Sequence, residues 1–175
     1  GVAIDYVLEH TRTSESAVDL VGCSLGTALM FTHVAAVPNA RVGSLVSMAG
    51  LVTWKDVPLI VKSLFLSPKL AGAAKIRGTR RIARLVLPPL AQMAPRLLAL
   101  YVNERSTDIS QPDMILRTVE DPIPQLNREI GEWVSRRELV VKNVNVSRKL
   151  STLMHPFLSI VANQDGIVPP ATSRA

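Results

Sequence analysis

The run Gly22-Cys23-Ser24-Leu25-Gly26 constrains the fold of this chain more than any other stretch. A short apolar run at Leu20 and Val21 precedes it and is typical of the end of a buried strand. Residues 25–36, which begin at the end of this run, have the composition of a helix. A serine at the centre of G-x-S-x-G, between a strand and a helix, is forced onto a sharp and strained turn. We therefore predict a strand–turn–helix unit with Ser24 at its tip.

This turn would give Ser24 the surroundings of a nucleophile. The two glycines of the motif, Gly22 and Gly26, are expected to leave room in the turn, because the side chain of any larger residue there would collide. The backbone N–H of Leu25, at the start of the helix, would help to hold an oxyanion. Cys23 is not the predicted nucleophile, because a motif centred on it would need glycines where the sequence has none. The alternative interpretation is an ordinary turn in which the serine only caps the helix.

The segments around the motif have the pattern of an α/β domain. Residues 2–10 have apolar positions at helical spacing, and residues 41–48 have the composition of a second parallel strand. Strand character returns at residues 155–161. A strand, a helix and a further strand in this order indicate an α/β fold with a mostly parallel sheet.

The middle of the chain has a different pattern. From about residue 54 to residue 137 strand character disappears, prolines recur and the apolar spacing is helical. A long helical insertion after a sheet strand is typical of a cap over an active site. We predict an α/β core over residues 1–56, a helical cap insertion over 57–137, and a core strand with an acidic site residue over 138–175.

Asp165 is the second candidate for the site. It lies on a turn with Gly166, just beyond the carboxyl end of the late strand. Catalytic groups of open α/β sheets lie beyond the carboxyl ends of the strands, and in this architecture the acid follows the serine. Asp165 is therefore expected to orient and stabilise a catalytic imidazole. An aspartate that only stabilises the turn before a glycine is the alternative.

The histidine of such a triad is expected to be absent from this chain. His10 precedes the motif, and His33 lies nine residues after Ser24, which is about 13 Å along a helix axis. His155 opens the strand that delivers Asp165 and so lies at the wrong end of it. The loop that supplies the second oxyanion donor normally precedes the motif. We therefore expect the chain to be an internal part of a longer protein, with an incomplete sheet.

Composition excludes several classes of protein. The single cysteine excludes a disulfide framework and a cysteine-based zinc site and is consistent with a reducing, cytoplasmic compartment. No metal site and no resident cofactor are predicted. The most apolar stretch, residues 82–102, contains two arginines and three prolines, which argues against a transmembrane helix.

The predicted cap is strongly basic. Between Asp56 and Glu104 there is no acidic residue, whereas eight cations are present: Lys62, Lys69, Lys75, Arg77, Arg80, Arg81, Arg84 and Arg96. Such a surface would attract an anionic thioester such as an acyl-CoA, or an anionic lipid or polymer-granule surface. Nucleic acid is not predicted, because aromatic residues are sparse here and no recognition motif is present. A solvated basic face is the alternative.

The chain resembles the polyhydroxyalkanoate synthase family, whose members have an α/β-hydrolase-like fold. The resemblance is most specific near the end. Asp121-Pro122 leads into a helix with Ile130 and Trp133, and the segment closes on residues 165–170, Asp-Gly-Ile-Val-Pro-Pro. It implies that Asp165 is the triad acid and that the substrate is a 3-hydroxyacyl-CoA. The family carries cysteine at the centre of the motif, where this chain has Ser24.

That difference decides the expected reaction. A thiolate is the better nucleophile and leaving group for repeated acyl exchange, whereas a serine ester is typical of esterases. We expect an enzyme with a serine nucleophile that hydrolyses hydroxyacyl esters or thioesters. The alternatives are a synthase that polymerises 3-hydroxyacyl-CoA and a non-catalytic relative that binds a granule or lipid surface. Chain length of the acyl group and oligomeric state are left open.

Overall fold

The computed structural model describes residues 1–37, 40–65, 78–93, 114, 117 and 120–174. The chain divides into two compact units. The first unit combines Gly1–Val57 with Arg136–Ala175, and the second comprises Pro58–Ser135. The second unit coincides closely with the segment for which the sequence predicts a helical insertion, residues 57–137.

Helices and strands alternate in the first unit, and the second contains helices. In chain order the elements are α1 (Val2–His10), β1 (Val18–Cys23), α2 (Leu25–Ala36), β2 (Val42–Met48), α3 (Leu59–Leu64), α4 (Thr79–Met93), α5 (Pro124–Arg136), β3 (Val140–Val141), β4 (Val144–Asn145), α6 (Val146–Lys149), a 3-10 turn (Leu150–Thr152), β5 (Phe157–Ile160) and α7 (Pro170–Ser173).

A parallel three-stranded sheet forms the centre of the first unit, in the order β1-β2-β5. Strand β2 lies between the other two: Cys23 is in register with Met48, and Met48 with Ile160. The three strands therefore end at the same edge of the sheet. The predicted mostly parallel sheet is confirmed for these strands.

Helix α2 covers one face of this sheet. Its inward residues are small or apolar and are buried, among them Ala28, Phe31 and Val34. They pack over the sheet, where Leu45 is only 2% exposed. The opposite face carries Val21, which is 67% exposed, and Leu158, which is 56% exposed. The described residues therefore bury the α2 face of the sheet more than the face that carries Val21 and Leu158.

A short hairpin follows the second unit and was not predicted. Strands β3 and β4 pair antiparallel, and the turn between them has positive φ at Lys142 and Asn143. Two consecutive positive φ values are typical of the tight hairpin turn, which favours asparagine. The two residues per strand are too short to show an alternating apolar pattern.

The second unit contains α3, α4 and α5 in its described part. Asp121 caps the start of α4, because its carboxylate accepts hydrogen bonds from the backbone N–H groups of Gly78 and Thr79 at 3.0 and 2.8 Å. Trp133 on α5 is buried. Four of the eight predicted cap cations lie outside the described residues: Lys69, Lys75, Arg77 and Arg96.

Candidate active site

Ser24 stands on a strained turn between β1 and α2. Its backbone angles are φ 49° and ψ −118°, a region that residues other than glycine rarely adopt. Its N–H donates to the carbonyl of Met48 at 3.0 Å, which ties the turn to the end of β2. The side chain is exposed and makes no capping hydrogen bond to α2. The hydroxyl is therefore not used as an ordinary helix cap, in contrast to the alternative interpretation.

The two glycines of the motif differ in what they do. A Cβ on Gly22 would lie 2.6 Å from Cα and 2.7 Å from the backbone nitrogen of Thr27, so a side chain there would collide with backbone. Apart from its chain neighbours and the backbone of its own helix, a Cβ on Gly26 would meet no atom within 4 Å. The steric reason expected for both positions therefore holds at Gly22 and is wrong at Gly26, because position 26 faces open space.

Thr27 holds the turn from behind and was not predicted from the sequence. Its side chain is fully buried, and its hydroxyl donates to the carbonyl of Gly22 at 2.9 Å. The same hydroxyl lies 3.3 Å from Oγ of Ser47 on β2. A Cβ on Gly50 would lie 2.2 Å from Oγ1 of Thr27. Strand β1, strand β2 and the loop after β2 therefore meet at one threonine.

Leu25 is the first residue of α2. The first N–H groups of a helix have no partner within the helix, and the positive end of the helix dipole lies there. The Leu25 N–H directly follows Ser24 along the chain. Its role as an oxyanion donor is consistent with this position and stays a prediction.

Asp165 follows β5 on a turn that its own carboxylate stabilises. Oδ1 accepts hydrogen bonds from the N–H groups of Ile167 and Val168, both at 2.8 Å, and the residue is half-buried. These bonds hold the carboxylate in one orientation at the edge where Ser24 also lies. Since β2 separates β1 from β5, the two strands are about 10 Å apart. The fold thus brings both predicted site residues to one edge of the sheet.

The three histidines, all within the described residues, lie elsewhere. His10 is exposed, stacks on Tyr6 with ring centroids 3.9 Å apart and has Nδ1 2.9 Å from the carbonyl of Tyr6. His33 lies in the last turn of α2, where burial lowers its pKa. His155 precedes β5 and so lies at the amino end of that strand. The carbonyl of Pro156, the next residue, accepts a hydrogen bond from the N–H of Leu45, which is in register with the start of β5. That none of them serves Ser24 stays a prediction.

Comparison with known proteins concerns the fold. No protein-family model and no curated protein sequence matches this chain. A solved structure does match: the meta-cleavage product hydrolase CumD from Pseudomonas fluorescens IP01, in a mutant form complexed with acetates. The TM-score is 0.55 over 99% of this chain, at 16% sequence identity. The chain has an α/β-hydrolase fold.

In the α/β-hydrolase fold the nucleophile stands on a sharp turn between a strand and a helix. Ser24 lies on a turn of that kind between β1 and α2, and its role as nucleophile stays a prediction. The predicted fold class is confirmed. The match covers 54% of the CumD chain, so this chain spans about half the length of that structure. At 16% identity the likeness shows the fold, and it does not extend to the polyhydroxyalkanoate synthase family.

A cavity of about 460 Å³ lies within the α/β-hydrolase core, on the side of α2. Its lining includes Thr27, Phe31, Ser47 and Phe157 and does not include Ser24 or Asp165. Several of its hydroxyl groups are already bonded to backbone, as for Thr27. This cavity is therefore not the space in which Ser24 would meet a substrate.

The described residues contain no group of three or more histidine, cysteine, aspartate or glutamate residues arranged to hold a metal ion. None of their helices is long and apolar enough to cross a bilayer.

Proposed function

We propose that this chain carries the nucleophile and the acid of a serine hydrolase that cleaves hydroxyacyl esters or thioesters. The observation that carries the proposal is Ser24: a serine held at φ 49° at the tip of the β1–α2 turn, exposed and not used as a helix cap. Strain of this kind persists only where the surroundings enforce it, and it is typical of active sites. The α/β-hydrolase fold supports the assignment, since its nucleophile stands on this turn.

In the proposed reaction Oγ of Ser24 attacks the carbonyl carbon of the substrate. The hydroxyl proton passes to a histidine, the C–O or C–S bond of the substrate breaks, and the leaving group takes up the proton. Water then attacks the Ser24 ester and releases the acid. The N–H of Leu25 would stabilise the oxyanion of both steps.

Asp165 is assigned to orient the histidine. The two hydrogen bonds from Ile167 and Val168 already hold its Oδ1 at the carboxyl edge of the sheet. A carboxylate fixed in this way can select the tautomer of an imidazole and stabilise its charged form. The histidine itself is expected from outside residues 1–175.

Serine rather than cysteine favours hydrolysis over polymerisation. The resemblance to polyhydroxyalkanoate synthases suggests 3-hydroxyacyl-CoA as the substrate, and a CoA thioester implies a cytoplasmic location. A synthase reaction at Ser24 is the second candidate, supported by that resemblance. A third candidate is a relative without catalysis that binds a granule or lipid surface.

The test uses the natural full-length protein with 3-hydroxybutyryl-CoA, and follows free CoA and polymer separately. We expect CoA release without polymer, reduced by about 10⁶-fold in Ser24→Ala. Cys23→Ala is the matched control, since this exposed thiol directly precedes the serine, and it should retain activity. Undiminished CoA release by Ser24→Ala would refute the assignment.

The same assay separates the alternatives. Polymer made by the natural serine form would favour the synthase, and polymer made by Ser24→Cys alone would show that the nucleophile decides between the two reactions. No CoA release by either form would favour the non-catalytic relative.

A further inference from the structure

Helix α4 exposes the side that an amphipathic helix normally buries. Among its apolar residues, those at positions 82, 85, 86, 89 and 93 have the spacing that places them on one side of a helix, and position 89 is one of the two prolines inside it. We call this set the apolar stripe. Leu85 is 77% exposed, Met93 85%, Ile82 53% and Val86 49%. A row of large apolar side chains left in water is a common mark of an interaction surface.

The helix also carries three exposed arginines. Arg80, Arg81 and Arg84 are exposed, and α4 contains no acidic residue. Arg80 pairs with Glu120 at 2.9 Å. For Arg81 and Arg84 no ion pair is found among the residues that the structure describes. Two arginine side chains therefore stand next to the apolar stripe and face solvent.

Hydrogen bonds from the segment before α5 hold the start of the helix. The carboxylate of Asp121 accepts hydrogen bonds from the N–H of Gly78 and from the N–H and hydroxyl of Thr79. This cap fixes the first turn to the segment that leads into α5. The apolar stripe begins at Ile82, one turn later, so the Asp121 cap does not cover it.

From these observations we propose that α4 binds the surface of an anionic lipid bilayer. An apolar stripe that enters the acyl chains beside arginines that reach the lipid phosphates is the arrangement of helices that lie in the membrane interface. The helix of 15 residues would lie parallel to the surface. This proposal concerns α4 alone and does not depend on catalysis by Ser24.

Charge selects the lipid over a second copy of the chain. Two α4 helices packed through their stripes would bring together six arginines and no acidic residue from the helices themselves. Like charges in such a contact are destabilising. Anionic phosphates, in contrast, complement the arginines.

The test measures co-sedimentation of the full chain with phosphatidylcholine vesicles, with and without phosphatidylglycerol. We expect binding to the anionic vesicles that weakens as salt is added, and little binding to the neutral ones. Arg81→Gln and Arg84→Gln should each weaken binding about fivefold. Leu85→Asp should weaken it more than about tenfold, because it removes apolar burial and adds a repelled charge.

Leu59→Asp is the matched control. Leu59 begins α3 in the same unit and is 83% exposed, but it lies outside the apolar stripe. Its variant should bind as the natural chain does, and circular dichroism should show that all variants fold. Equal binding of Leu85→Asp and the natural chain would overturn the proposal. The proposal would also be overturned if the natural chain forms a dimer that does not bind vesicles and that the Leu85→Asp substitution dissociates.

Discussion

The hydroxyl of Thr27 donates a 2.9 Å hydrogen bond to the carbonyl of Gly22, across the turn that presents Ser24. Gly22 is the penultimate residue of β1, and Thr27 lies in the first turn of α2. The bond is buried and runs between the two elements that flank the serine. It therefore holds the strand and the helix together on the side away from the exposed hydroxyl.

Replacing Thr27 with valine should destabilise the protein. Valine keeps the shape but leaves the buried Gly22 carbonyl without this donor, at a cost of about 1–3 kcal/mol. Thr27→Ser keeps the hydroxyl and should restore most of the hydrogen-bond contribution. Urea unfolding of the three proteins measures the difference. A serine variant less stable than the valine variant would show that packing of the methyl group, not the hydrogen bond, matters here.

Alanine should be tolerated at Gly26 and not at Gly22. At Gly22 the new Cβ would lie 2.6 Å from the Cα of Thr27, and backbone must move, which typically costs about 1–3 kcal/mol. At Gly26 the Cβ meets open space, and alanine in a helix gains about 0.5–1 kcal/mol over glycine. The free energies of unfolding of the two single variants test this. A Gly22→Ala protein as stable as Gly26→Ala would contradict the geometry of the turn.

Glycine in place of Ser24 should stabilise the fold while it abolishes the nucleophile. A residue with a Cβ at φ 49° stores strain of about 1–3 kcal/mol, which glycine releases. Because glycine also loses more entropy on folding, we expect Ser24→Gly to exceed Ser24→Ala by about 1 kcal/mol in thermal or urea unfolding. Equal stabilities of these two variants would mean that the turn is not strained in solution.

Substitutions of Asp165 should separate its turn from its proposed catalytic role. Asn keeps an oxygen to accept from Ile167 and Val168, so Asp165→Asn should retain stability, whereas Asp165→Ala should lose about 1–2 kcal/mol. Both variants remove the charge that would stabilise an imidazolium. In the full-length protein both should therefore lose about 10⁴-fold in turnover. If the Asp165→Asn variant retained activity, Asp165 would only stabilise its turn and would have no catalytic role.

Stability should fall as the pH drops below about 6.5, because of His33. Burial lowers the pKa of His33 below its ordinary 6.5. In the interval between the folded pKa and 6.5 the unfolded chain binds more protons, so stability rises with pH there and is constant above it. His33→Gln should flatten this interval in urea unfolding at several pH values. His10→Gln, at an exposed site, is the control and should not.

The carboxylates act in a separate, more acidic interval. A hydrogen bond from Arg41 lowers the pKa of Asp5, and bonds from Asn145 and Arg148 lower the pKa of Glu138. Their contributions are present above the ordinary carboxyl pKa and are lost as the pH falls through the lowered values. The His33 interval can therefore be measured without them.

Much of the local structure followed from the sequence. Helices Val2–His10 and Leu25–Ala36 have the bounds that their apolar spacing predicts. The strand before Ser24 and the strand at 42–48 were also found. The position of Asp165 on a turn after the late strand was correct as well. These features depend on residues close together in the chain, and side-chain periodicity reports such contacts directly.

The tertiary structure decided what lies behind the serine. Thr27 contacts Gly22, Ser47 and Gly50, and the last of these is 23 positions away in the chain, so no local pattern marks the threonine as important. The order β1-β2-β5 alone brings Ser24 and Asp165 to one edge. The motif also suggested two crowded glycines, yet one of them faces open space. Sequence determined where the chain turns, and packing determined which residues hold the turn, because burial and collision depend on neighbours that are distant along the chain.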